Sequence, residues 1–285
     1  MLDQSALPTD RRSMTTPQAV RRQYVDGRFG QIHLRVAKPD SDSERLPLVC
    51  FHMSPNSSRI YQTFLGHMGC DRVAVAPDTP GFGESDPPPS KPSIADYAAA
   101  MTDFLDALGL NQVDVMGYHT GSEICVALAL QQPQRVRKLV LTSAPIFSDE
   151  ELDEFRNHYA KPEISEDGSH VAEKWRSHLY WAGPGWTMDH VGVQFADAMR
   201  RPDISWWGHS AAFDFPTKDK LAQVPQPVLV LNPNDDLVEH SRRADGIMQN
   251  GRIHELPDWG HGYLDLHTDK ACMLVREFLD GEGGV

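Results

Sequence analysis

Short, largely apolar runs recur along this chain, separated by stretches whose apolar residues fall at helical spacing. Leu48-Val49-Cys50-Phe51, Val73-Ala74-Val75-Ala76, Val113-Asp114-Val115-Met116, Leu139-Val140-Leu141 and Val228-Leu229-Val230-Leu231 are too short for buried helices and read as strands covered on both faces. Between them, Ile94, Tyr97, Ala98, Met101, Phe104, Leu105 and Leu108 predict an amphipathic helix that Ser93 with Asp96 opens and Gly109 ends. Further helices are predicted over Ser58 to Leu65, Ser122 to Leu130, Glu239 to Gln249 and Leu266 to Leu279. Tyr24-Val25 and Gln31 to Val36 flank Asp26-Gly27 and Gly30 as an antiparallel hairpin, and Arg252 to Leu256 reads as a last strand. Strands alternating with helices in this way predict a parallel sheet with helices on both faces.

The rhythm breaks after Pro145. From Ile146 to Asp219 there is no strand pattern, yet five of the six tryptophans lie here: Trp175, Trp181, Trp186, Trp206 and Trp207. So many large aromatics in acidic helical stretches point to a lid that roofs an apolar pocket. The expected division is therefore a flexible tail over 1–22, a core built from 23–145 and 220–285, and a helical lid over 146–219.

Composition narrows the function. A chain of 285 residues suits one large domain with an insertion, and a net charge of −13 repels phosphate backbones and anionic membranes. Nucleic acid and membrane partners are thus disfavoured; a small-molecule substrate is expected, with homodimerisation open. Cys50, Cys70, Cys125 and Cys272 lack metal-type spacing and read as reduced thiols. Met1 to Gln23 is polar and carries no apolar stretch of signal length, which together with the thiols sets a cytoplasmic expectation.

The chemistry centres on Gly117-Tyr118-His119-Thr120-Gly121, a turn between a strand and a helix with glycine at each end. Such a turn strains its central residue and aims that side chain outward. His52-Met53-Ser54-Pro55, the loop Asp78 to Ser85, the pair Asp235-Asp236 and Gly260-His261-Gly262 follow strands in the same order as the motifs of one large family. On these five motifs the chain from about residue 24 to 280 resembles the α/β-hydrolase family. The resemblance implies a mostly parallel eight-stranded sheet with the lid after the sixth strand, and a chain order of nucleophile, acid and histidine.

Carried over by position, the resemblance makes His261 the base and Asp236 its orienting acid, with Asp235 as the fallback. The backbone N–H groups of Ser54 and Thr120 become the oxyanion donors. The departure is His119, which stands where the family has serine. An imidazole can attack a carbonyl, hold an oxyanion or move a proton beside His261. His52, Tyr118, Trp206, Trp207 and Tyr263 are the candidate substrate contacts. No cofactor is implied, and the family site is not built around a metal, although two histidines and a carboxylate are a donor set for zinc or iron. The expectation is an enzyme acting on a small, largely apolar ester, lactone or diketone by His/Asp general-base chemistry. A cofactor-independent lyase, decarboxylase or oxygenase, and a ligand-binding receptor, are the alternatives.

Overall fold

The computed structural model describes residues 16–281. Among them, eight strands form one sheet: β1 (Arg21–Gly27), β2 (Gly30–Ala37), β3 (Leu48–Phe51), β4 (Ala74–Pro77), β5 (Val113–Tyr118), β6 (Val136–Thr142), β7 (Val228–Pro233) and β8 (Gly251–Leu256). Their order is β1-β2-β4-β3-β5-β6-β7-β8, with β2 antiparallel to both its neighbours, β1 and β4, and every other neighbouring pair parallel. The order doubles back at β3, so the carboxyl ends of β3, β5, β6, β7 and β8 share one edge, where α/β sheets place their sites.

Helices α1 (Gln62–Met68), α2 (Ile94–Ala107) and α3 (Thr120–Gln131) connect the first strands. Five helices fill the interval between β6 and β7: α4 (Asp149–His158), α5 (Ser169–Trp181), α6 (Met188–Ala198), α7 (Trp207–Phe213) and α8 (Thr217–Leu221). The short α9 (Val238–Arg242), then α10 (Tyr263–Leu266) and α11 (Thr268–Asp280), complete the chain. One apolar core lies between the sheet and α2 with α3, and a second lies between the sheet and α1 with α11. Because α3 is buried from Thr120 to Ala129, apolar residues lie on every side of it rather than in one stripe, with Glu123 its one buried carboxylate. Truncating a core side chain such as Leu128 to alanine would cost about 2–5 kcal/mol.

Several local boundaries differ from the periodicity. The segment expected to be helical from Glu239 to Gln249 is helical only to Arg242 and then turns, and the last helix is interrupted at His267. The chain is already in β1 at Arg21, inside the expected tail, whose first fifteen residues lie outside the described ones. All four cysteines are free thiols, and Cys50, Cys125 and Cys272 are buried. Among the described residues, no helix is long and apolar enough to cross a membrane.

Candidate active site

The turn after β5 is tight for reasons written in its glycines. A side chain on Gly117 would run into the backbone of Gly121 and Ser122, and one on Gly121 into the carbonyl of Phe51. Only glycine lets α3 start so close to β3 and β5. His119 between them takes φ 48°, ψ −112°, a strained conformation for a residue with a Cβ, and Ser122 Oγ braces the turn within 3.1 Å of the Gly117 and Thr142 carbonyls.

His119 Nε2 meets Asp235 Oδ2 at 2.8 Å. Asp235 is fully buried and is held by two further donors, Ser143 Oγ at 2.9 Å and the Leu237 N–H at 2.8 Å. Ser143, directly after β6, is the other non-glycine residue with positive φ among the described residues, at 61°. His261 Nε2 meets the neighbouring Asp236 Oδ1 at 2.9 Å, and its Nδ1 lies 3.5 Å from the Tyr118 hydroxyl. The two imidazoles face each other edge to face with centroids 5.6 Å apart. The site therefore contains two histidine–aspartate pairs, not one.

Electrostatics differ between the pairs. Burial works against a charged His119, but the Asp235 carboxylate outweighs it and holds the imidazole pKa above the ordinary histidine value. Burial likewise pushes the Asp236 carboxyl up, yet the hydrogen bond from His261 and the charge of both histidines carry it well below the usual carboxylate range. Both aspartates face inward because the chain turns sharply at the end of β7, where the Asp235 N–H donates to the Pro233 carbonyl at 2.9 Å.

A cleft opens above these pairs, with His119, Asp236 and His261 in its floor. Its walls bring Ser54 and Asn56 from the β3 loop together with Tyr159, Lys174, His178, Trp181, Trp186 and His209 from the helices between β6 and β7. A second, smaller compartment continues past Thr120 between Phe147, Phe155, Phe213 and Leu237. His209, stacked on Tyr159 at 4.3 Å, joins the two. Burial, with Lys174 and His119 nearby, pulls the His209 pKa down to about 3, so its ring is neutral; burial lowers Lys174 and lifts Tyr159 to about 12. The helical segment also reaches the floor: Trp186 Nε1 donates to the His261 carbonyl at 2.7 Å, and a side chain on Gly262 would strike the same indole.

Five expected substrate contacts lie elsewhere. His52 is buried with both nitrogens engaged, Nδ1 donating to the Met53 carbonyl at 2.9 Å and Nε2 accepting from the Thr79 N–H at 2.8 Å, so it shapes the loop that carries Ser54. Tyr118 and Tyr263 are buried beneath the histidines; the Tyr263 hydroxyl bonds Thr142 at 2.7 Å. Trp206 donates to the Asp203 carbonyl, and neither it nor Trp207 lines the cleft; Trp181 and Trp186 do. Tyr159, Lys174, Ser143 and His209 carried no signal in the sequence, since each is a lone polar residue in an irregular or amphipathic segment.

The chain is 26% identical over 238 residues to a 2-hydroxy-6-oxo-2,4-heptadienoate hydrolase of Pseudomonas putida, covering 78% of this chain and 83% of that protein. It is 25% identical to a 2-hydroxy-6-oxononadienedioate/2-hydroxy-6-oxononatrienedioate hydrolase of Dechloromonas aromatica, over 94% and 98% of the two chains. The enol-lactonase of Burkholderia xenovorans superposes with a TM-score of 0.76 at 17% identity, over 90% of this chain and 100% of that one. A family model described as the alpha/beta hydrolase fold matches residues 47–268, and the chain belongs to that family.

Proposed function

We propose that this chain is a hydrolase that cleaves an ester, a lactone or the carbon–carbon bond of a small diketone by direct attack of water. The observation that carries this reading is the pairing of two adjacent imidazoles, each with its own aspartate, at the floor of a cleft whose elbow side chain has no hydroxyl or thiol. Asp236 takes the Nε2–H of His261, which leaves the lone pair on Nδ1. That nitrogen, turning from the Tyr118 hydroxyl 3.5 Å away, removes a proton from water as the water oxygen bonds to the substrate carbonyl carbon. The carbonyl oxygen becomes an oxyanion, and His119, whose hold on a proton Asp235 strengthens, donates to it in its protonated form alongside the Ser54 and Thr120 N–H groups. When the scissile C–O or C–C bond breaks, the proton on His261 passes to the leaving alkoxide or enolate.

The magnitudes suit activated substrates. A positioned general base contributes about 10² to 10⁴ in rate, and one oxyanion donor about 10² to 10³. Two of the relatives, those of Pseudomonas putida and Dechloromonas aromatica, are named as hydrolases of 2-hydroxy-6-oxo acids, which supports a C–C substrate. An apolar group fits the compartment lined by Phe147, Phe155 and Phe213, while Lys174 gives the cleft one positive end.

Rapid-quench mass spectrometry on a slow aryl ester, with a panel of lactones and diketones beside it, tests the reading. Turnover without any acyl group on the protein, and loss of turnover in His261→Ala, is the expected result. An acyl-imidazole on His119 would overturn it.

A further inference from the structure

The four side chains in the floor converge more closely than a proton relay needs. One donor atom from each of His119, Asp235, Asp236 and His261 lies within 4.8 Å of all the others. In a serine relay one histidine uses one nitrogen for the acid and the other for the nucleophile. Here both histidines present the same nitrogen, Nε2, to a carboxylate, at 2.8 and 2.9 Å.

A first-row divalent ion binds imidazole nitrogen and carboxylate oxygen at about 2.0–2.2 Å, so neighbouring ligands of one ion sit about 3.0–3.4 Å apart and opposite ones about 4.2 Å. The observed separations, from 2.8 Å up to 4.8 Å, need adjustments of about half an ångström. Charge fits as well: two carboxylates with two neutral imidazoles sum to the complement of a dication. Ser143 Oγ and the Leu237 N–H bond the two oxygens of Asp235, the outer hydrogen bonding that orients ligating carboxylates. His119, Asp236 and His261 also border the cleft, which leaves a coordination position facing substrate.

We propose that His119, Asp235, Asp236 and His261 form a mononuclear site for a first-row divalent cation such as zinc, with a fifth coordination position on the cleft side. This rests on the reading above that water attacks in this cleft: an ion so placed takes the positions of the two Nε2 protons and, in place of the His261 base, presents an acidified water to the bound carbonyl. It also gives the elbow histidine a purpose: replacing a hydroxyl by an imidazole adds a ligand.

The test uses full-length protein without a histidine tag, stripped with a chelator, equilibrated with micromolar Zn²⁺ and desalted. Elemental analysis should find about one zinc per chain, and Co²⁺ in its place should give visible ligand-field bands. His119→Gln and His261→Gln, checked for folding by circular dichroism, should each bind about 100-fold more weakly or worse and lose the bands. His190→Ala, which alters a histidine outside the cluster, should bind like the parent. Retention below about 0.1 ion per chain, or equal retention in the two glutamine variants, overturns the site. Absence of turnover in both stripped and loaded protein overturns the proposed function instead, so the two failures are distinguishable.

Discussion

His119 is bonded to Asp235 and not to Asp236, so the elbow side chain is tied across the site to the end of β7, while His261 holds the next residue of the same turn. Adjacent aspartates thus serve different histidines. Asp235 is wholly buried, whereas Asp236 borders the cleft. We predict that Asp236→Asn lowers kcat by about 10² to 10⁴ with the melting temperature nearly unchanged. Asp235→Asn should instead lose stability, on the order of 1–3 kcal/mol, through its buried hydrogen-bond set. Steady-state rates and thermal melts on both variants check this; matching losses in both quantities would count against the division.

Replacing His119 separates the roles an imidazole can play. His119→Gln keeps a hydrogen-bonding group and should retain measurable turnover, while His119→Ala should retain less. His119→Ser restores the family's hydroxyl at the elbow. Burst kinetics with an acyl-serine in that variant would show that the rest of the relay is competent for covalent chemistry.

Lys174 makes a further prediction about substrate choice. Among the described residues no carboxylate lies within ion-pair distance of its ammonium, which borders the cleft. Lys174→Met should raise KM about tenfold or more for carboxylate-bearing substrates and leave neutral esters nearly unaffected. Equal effects on both classes would remove Lys174 from recognition.

A pH-dependent stability is expected from Glu123, on α3 beneath the elbow. It is fully buried, with Oε1 accepting from Thr217 Oγ1 at 2.6 Å and Oε2 unpartnered. Burial holds its carboxyl well above the ordinary 4.5, so the folded protein binds this proton more tightly than the unfolded chain does. Its stabilising contribution is full below pH 4.5 and declines as pH rises toward the folded value. Glu123→Gln should therefore show a higher urea midpoint than the parent at pH 8, with the gap closing near pH 4.

Most of the architecture was readable because strand runs and glycine-bounded turns are local signals. Gly117 and Gly121 announce a close crossing whatever sits between them, and capping by Ser93 with Asp96 is present as its spacing implied. What joins the pieces was not readable. Two aspartates in succession at a strand end look equivalent in sequence, and only the turn at Pro233 sets both inward. The same holds for the roof. Trp206 and Trp207 form a conspicuous pair, but the indoles that face the histidines are Trp181 and Trp186, and an amphipathic pattern does not say which side of a helix overlooks a cleft.

Trp186 gives the roof a hold on the reaction centre. Its indole N–H grips the carbonyl of His261, and its ring fills the space that only glycine at 262 leaves. On the proposed reading, displacing these helices far enough to release that hydrogen bond would also free the loop that carries His261. Entry of substrate and alignment of the base would then be one event, and a cleft held open would be accessible and idle. Trp186→Phe, which keeps the ring but drops the bond, would uncouple them and appear as a loss in kcat larger than any change in KM.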